Sequence, residues 1–169
     1  MDTIYSIIPK DERQMVIGAI SLVEDERFDE AIEECTRIIN GGYSREAQAF
    51  ARYAAALSHS RRLAQQDQGQ PGDVDVAIRH YELCLRELKF GDAYLMLGYA
   101  LVQKMGLLQE KPVDVVHYYS QMLDLALRAV AAFDEVRQMD AGLRKYAMEE
   151  TTRLQPIIVG LRAKLATFN

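Results

Sequence analysis

Residues 28–39 read FDEAIEECTRII, and the same beat returns at 74–85 as VDVAIRHYELCL. Phe28, Ala31, Ile32, Cys35, Ile38 and Ile39 in the first stretch correspond to Val74, Ala77, Ile78, Tyr81, Cys84 and Leu85 in the second. Steps of three and four residues place such side chains on one face of an α-helix. A third stretch, VDVVHYYSQMLD at 113–124, puts Val113 and Val116 where Phe28 and Ala31 stand. Each stretch follows another helical segment with its own shared pattern: a large residue, a residue three on, a small one, then Leu. These are Met15, Gly18, Ala19 and Leu22; Phe50, Tyr53, Ala54 and Leu57; and Tyr94, Leu97, Gly98 and Leu101. The small residue lets paired helices approach closely.

Helical spacing continues outward through the rest of the chain, and no alternation of strand length interrupts it. Asn40-Gly41-Gly42 ends the second helix with residues that tolerate a left-handed backbone. Ser44 is placed to cap a third helix of about 20 residues. The polar run QQDQGQPGD (65–73) then separates the third helix from a fourth that begins near Asp73, which is read as its N-cap. Pro112 suits the first turn of a sixth helix, and nothing breaks the pattern from Val113 to Asp140, so one helix of about 25 residues is expected. Its apolar set is wider than one stripe, which predicts cover on more than one side. The last segment, Leu143 to Phe168, is amphipathic through Tyr146, Ala147, Leu154, Ile157, Ile158, Leu161 and Leu165, with a kink or split expected at Pro156.

Paired helices with these patterns resemble the tetratricopeptide repeat family, most clearly in YLMLGYAL (94–101). The match departs from the family in having Gly18 where Leu is usual, no proline at the repeat ends, and long second and third pairs. The resemblance implies an all-α fold, a right-handed superhelix of antiparallel helix pairs in a single domain, 1–169. Three repeats would span about 11–40, 44–89 and 92–124, with a long sixth helix and a C-terminal helical cap over 125–169. The polar run then falls inside the second repeat, as an insertion with a mobile tip that carries His59, Arg61 and Arg62 outward as a secondary contact surface.

In that family the first helices of successive pairs line a concave groove that holds a partner. Mapped onto this chain, the groove takes Val16, Ile20 and Val23, then Arg52, Ala55 and His59, then Leu95, Met96, Tyr99 and Val102. The Lys and Asn positions with which some members grip a terminal carboxylate hold Val16, Ile20, Arg52, Asp92 and Met96 here, so that clamp is not expected. The groove is apolar with one basic interruption. The expected role is that of an adaptor or chaperone-like module for an apolar or amphipathic protein segment, and the second reading is a structural subunit that uses the same surface for self-association. The C-terminal segment would fill part of the groove or, preferably, cap the end of the superhelix.

Other classes find little support. A net charge of -5 argues against a nucleic-acid partner. No apolar run is long enough for a membrane span, and no secretory signal is evident. Cys35 and Cys84 form no CxxC pair and sit at helical spacing among apolar residues, as small core residues in a reducing, cytoplasmic setting would. His59, His80 and His117 fall in no ligand pattern, and no phosphate loop, nucleophile elbow or metal motif is present, so neither enzyme activity nor a cofactor is expected. The basic group His59, Arg61 and Arg62, with Arg52 nearby, is either an anion site or a solvated helix end whose cations complement the dipole.

Overall fold

The structure is a computed structural model that describes residues 4–65, 69–70, 72–108 and 114–168. Part of the polar run's tip, including Asp67 and Pro71, lies outside the described residues, as do Pro112 and Val113. Seven α-helices and no strand occur among the described residues: α1 (Lys10–Glu24), α2 (Phe28–Asn40), α3 (Arg45–Ala64), α4 (Asp73–Glu87), α5 (Gly91–Leu107), α6 (Val115–Met139) and α7 (Arg144–Ala166). A short 3-10 turn at Ile4–Ile7 precedes them. The chain divides into two compact units, Met1–Lys89 and Phe90–Asn169. The division falls at the Phe90-Gly91 turn, and the polar run lies within the first unit, between α3 and α4.

In the first unit α1 pairs with α2 and α3 with α4, while α3 also packs on α1 and α2. Cover from three neighbours explains the composition of α3. Ala47, Ala49, Ala51, Ala54, Ala55 and Ala56 are all buried, on every side of the helix. Alanine lets neighbouring helices cover α3 at close range on more than one side, while its Arg45 and Arg61 stay exposed. Ser44 caps α3 by accepting the Ala47 N–H at 3.2 Å, and its own N–H donates to the Glu12 carboxylate of α1 at 3.1 Å. The apolar beat of the opening stretch is the core of this unit: Phe28, Ala31, Cys35 and Ile38 of α2 and Val74, Ala77, Tyr81 and Cys84 of α4 are all buried. Burial pushes both thiols up to about 12, which keeps them protonated and inert.

In the second unit α6 packs on α5 and on α7, which accounts for the breadth of its apolar set. Asp114 caps α6 by accepting the His117 N–H at 3.2 Å. The shared small positions are buried in all three first helices, Ala19, Ala54 and Gly98. A Cβ on Gly98 would come within 2.6 Å of Phe133 Cζ, so α5 and α6 meet there with no room for a side chain.

Two expectations need correction. Val116 does not take the buried place of Ala31 and Ala77, for it is 47% exposed, and burial on α6 begins at Tyr119. The first turn of α6 is open to solvent at both Val116 and His117. Of the kink or split expected at Pro156, the split does not occur, since α7 continues through it. Pro156 and Thr152 are both exposed, so the carbonyl that loses its bond to the missing N–H can turn to water.

Candidate functional site

Two places combine chemistry with defined geometry, one in each unit. The first is polar and closed. His59 and Arg62, one turn apart on α3, both reach Asp73, the first residue of α4, which is 4% exposed. His59 Nδ1–H donates to Asp73 Oδ1 at 2.8 Å and Arg62 Nε donates to Oδ2 at 3.1 Å, while Arg62 Nη2 makes a further bond to Oδ1. The Gln70 N–H donates to Oδ2 at 2.9 Å, and Arg62 Nη1 extends to Asp29 Oδ1 of α2 at 2.6 Å. One guanidinium thus ties α2, α3 and the start of α4. Burial pulls the Asp73 carboxyl upward, but the bonds from Arg62, Gln70 and His59 outweigh it and hold the group at about 2.

This arrangement corrects the reading of the basic spot. His59 and Arg62 do not project outward as a contact surface, because an internal carboxylate already occupies them. Arg61 donates to the Val23 carbonyl at 3.4 Å. Nor does Asp73 act as the N-cap of α4. Gly72 holds that place, and the Asp73 side chain is spent on α3.

His80 of α4 stacks on His59, with ring centroids 6.2 Å apart and planes 11° from parallel. Its buried Nδ1 has no hydrogen-bond partner among the described residues. Burial first, then the neighbouring His59, Arg52 and Arg79, lower its pKa from 6.5 to about 4. Between those values the unfolded chain takes up a proton that folded His80 refuses, so stability falls as the pH drops across that window. The urea midpoint of the first unit is therefore expected to decline between pH 6.5 and pH 4, and His80→Phe to flatten the decline. An equal slope in the variant would place the titration elsewhere.

The second place is apolar and open. Tyr99 of α5 is half-exposed and stands edge-on against Phe133 of α6, with centroids 5.7 Å apart. Burial raises its hydroxyl pKa, and the charges of Glu150, Arg153 and Glu149 on α7 act on it as well. Tyr99 therefore lies within electrostatic reach of the first half of α7, where Tyr146 is 54% exposed; Ile157, 42% exposed, stands three turns further on along the same side of that helix. The opposite flank of α7 exposes Met148 and Val159.

Comparison with family models, curated proteins and solved structures finds no match. What the chain can do is therefore read from its own residues. Of the groove positions expected from the sequence, Val16, Ile20, Val23, Arg52, Ala55 and His59 belong to the first unit, and Leu95, Met96, Tyr99 and Val102 to the second. Val16, Val23, Ala55, His59 and Leu95 are buried. Ile20, Arg52, Met96, Tyr99 and Val102 are half-exposed and remain accessible. The exposed side chains of α7 were not among the expected groove residues. Their signal was the apolar set of the last segment, which is too broad for one buried stripe.

No group of three potential metal ligands occurs among the described residues, and no described helix is long and apolar enough to cross a membrane.

Proposed function

We propose that this chain is a protein-binding module, adaptor or chaperone-like, that holds an apolar or amphipathic helical segment. The observation that carries the reading is the open aromatic face of the second unit. Tyr99 rests on Phe133, and Tyr146 and Ile157 expose apolar surface along one side of α7, all on helices rather than loops. Exposed apolar surface of this kind marks an interface, and helical walls suit the lodging of an amphipathic helix. The tetratricopeptide-like superhelix belongs to the same proposal. It is supported by the α1/α2 and α3/α4 pairs, by α1 packing on α3, and by the buried small residue in each first helix.

The polar cluster supports a binding protein over an enzyme. Asp73 is held by Arg62, Gln70 and His59, and His59 is itself buried and stacked on His80, so the His59–Asp73 pair reads as a brace of the α3–α4 hairpin. The unpaired buried thiols of Cys35 and Cys84 fit a reducing compartment, such as the cytoplasm. A structural subunit is the second reading, favoured by Met148 and Val159 on the outer flank of α7. Sedimentation across a concentration series separates the two readings, because self-association should be lost in Val159→Glu.

The test of the main reading is a comparative pull-down. Tyr99→Glu is expected to lose the proteins that wild type retains, while Val76→Glu, an equally apolar-to-acidic change on α4, keeps them. Circular dichroism first checks that both variants fold. If Tyr99→Glu retains the same partners, the α5–α7 face is not the binding surface.

A further inference from the structure

We infer that the α5–α7 face selects an amphipathic helix with Lys or Arg on its polar flank; the inference rests on the binding role proposed above and adds the chemistry of the partner. The apolar centre at Tyr99 is bordered on α7 by Glu149 and Glu150, and the Arg153 guanidinium is engaged by Glu150, Nη1 to Oε1 at 2.6 Å. Among the described residues Glu149 pairs only with a distant cation, Lys145 at 4.0 Å, and both side chains are well exposed.

On α5, Asp92 lies two turns before Tyr99 on the same side of the helix. Burial raises the Asp92 pKa, and the charge of Asp140 raises it further, so two carboxylates stand close enough to oppose each other's ionisation. The Asp140 side chain is held at that spot. Its Oδ1 accepts the N–H groups of Gly142 and Leu143 at 2.8 and 3.1 Å, and its Cβ packs where a side chain on Gly91 would stand. No cation is paired with Asp92 among the described residues. A tyrosine-centred apolar strip with the Asp92 and Asp140 carboxylates at one end and the loosely paired Glu149 on one wall is complementary to a basic amphipathic helix, whose cations would relieve the Asp92–Asp140 repulsion on docking. An acidic helix would add to that repulsion.

The test uses three labelled synthetic peptides that share one Leu-rich helical face and carry Lys, Gln or Glu on the flanks. Affinity for the whole chain is read by fluorescence anisotropy at low and at physiological salt. The Lys peptide is expected to bind about tenfold more tightly than the Glu peptide at low salt, with the gap narrowing as salt rises. Asp92→Asn combined with Glu149→Gln should bring the Lys peptide to the level of the Gln peptide. Because Asp92 also sits in the first turn of α5, Glu149→Gln alone, on an exposed flank, serves as the variant that leaves the fold untouched and should close part of the gap. Equal affinity for the Lys and Glu peptides, with binding still abolished by Tyr99→Glu, overturns the charge selection and leaves the face as a binding site. Failure of all three peptides to bind wild type overturns both.

Discussion

Replacing Asp73 with alanine is expected to destabilise the first unit by about 3 kcal/mol, the lower end of what removing one partner from a buried ion pair costs. The lower end applies because Arg62 keeps a second carboxylate, Asp29, and is itself 18% exposed. The loss has three parts: a guanidinium left with one partner, a His59 Nδ1–H left without its acceptor, and an unmet Gln70 N–H at the entry to α4. Asp73→Asn should be milder, because an amide oxygen can still accept from Gln70. The double variant Asp73→Ala with Arg62→Met should recover part of the loss, since a cluster of shared partners is non-additive.

The same group predicts a pH signature. The folded Asp73 carboxyl, at about 2, lies below its ordinary 3.8, so its contribution is present above pH ~4 and is lost as the pH falls towards 2. His80 acts at higher pH, between 6.5 and about 4. Urea unfolding monitored by circular dichroism at stepped pH should thus show two successive losses, of which Asp73→Ala removes the lower and His80→Phe the upper. A wild-type stability in the Asp73→Ala variant at pH 7 would mean that the cluster contributes nothing net.

What the sequence revealed follows the range of the interactions concerned. Helical period, the Ser44 cap and the 25-residue sixth helix depend on neighbours within a few residues, and all are found. The shared small positions were also legible, because close approach leaves a mark in a single residue type. The Asp73 cluster was not, since Arg62 and Asp29 are 33 positions apart and no local pattern distinguishes a capping aspartate from one turned back to an earlier helix. Val116 was misplaced because a repeat register says which residues correspond but not where cover begins, and on α6 burial starts only at Tyr119. The positions expected to line a groove divide by burial. Val16 and Val23 are buried on α1, which packs against α2 and α3 together and so has a wider covered face than a single partner would give. His59 was assigned to an open surface but is used by α4.

Gly98→Ala is expected to destabilise the second unit by about 1–3 kcal/mol, against the ordinary sign of that substitution. In a helix interior alanine is preferred to glycine by roughly 1 kcal/mol, so an unhindered site would gain. Here the new methyl would stand 2.6 Å from Phe133 Cζ, and Phe133, at 0% exposure, has nowhere to withdraw. Phe133→Ala should cost more, about 3–5 kcal/mol, because it empties the contact between α5 and α6. The decisive measurement is the double variant. With the ring gone, Gly98→Ala should become favourable, since it then supplies helix propensity and fills part of the cavity. Hydrogen exchange resolved to α5 and α6 reads all three variants within the unit concerned, and an additive cycle would show that the two residues do not press on each other. The cycle also bears on function, because Tyr99 leans on the same ring. Phe133→Ala should loosen Tyr99 and, on the proposed binding role, weaken capture of a helical segment even under conditions where the unit remains folded, while Gly98→Ala in that background restores stability without restoring the support beneath Tyr99.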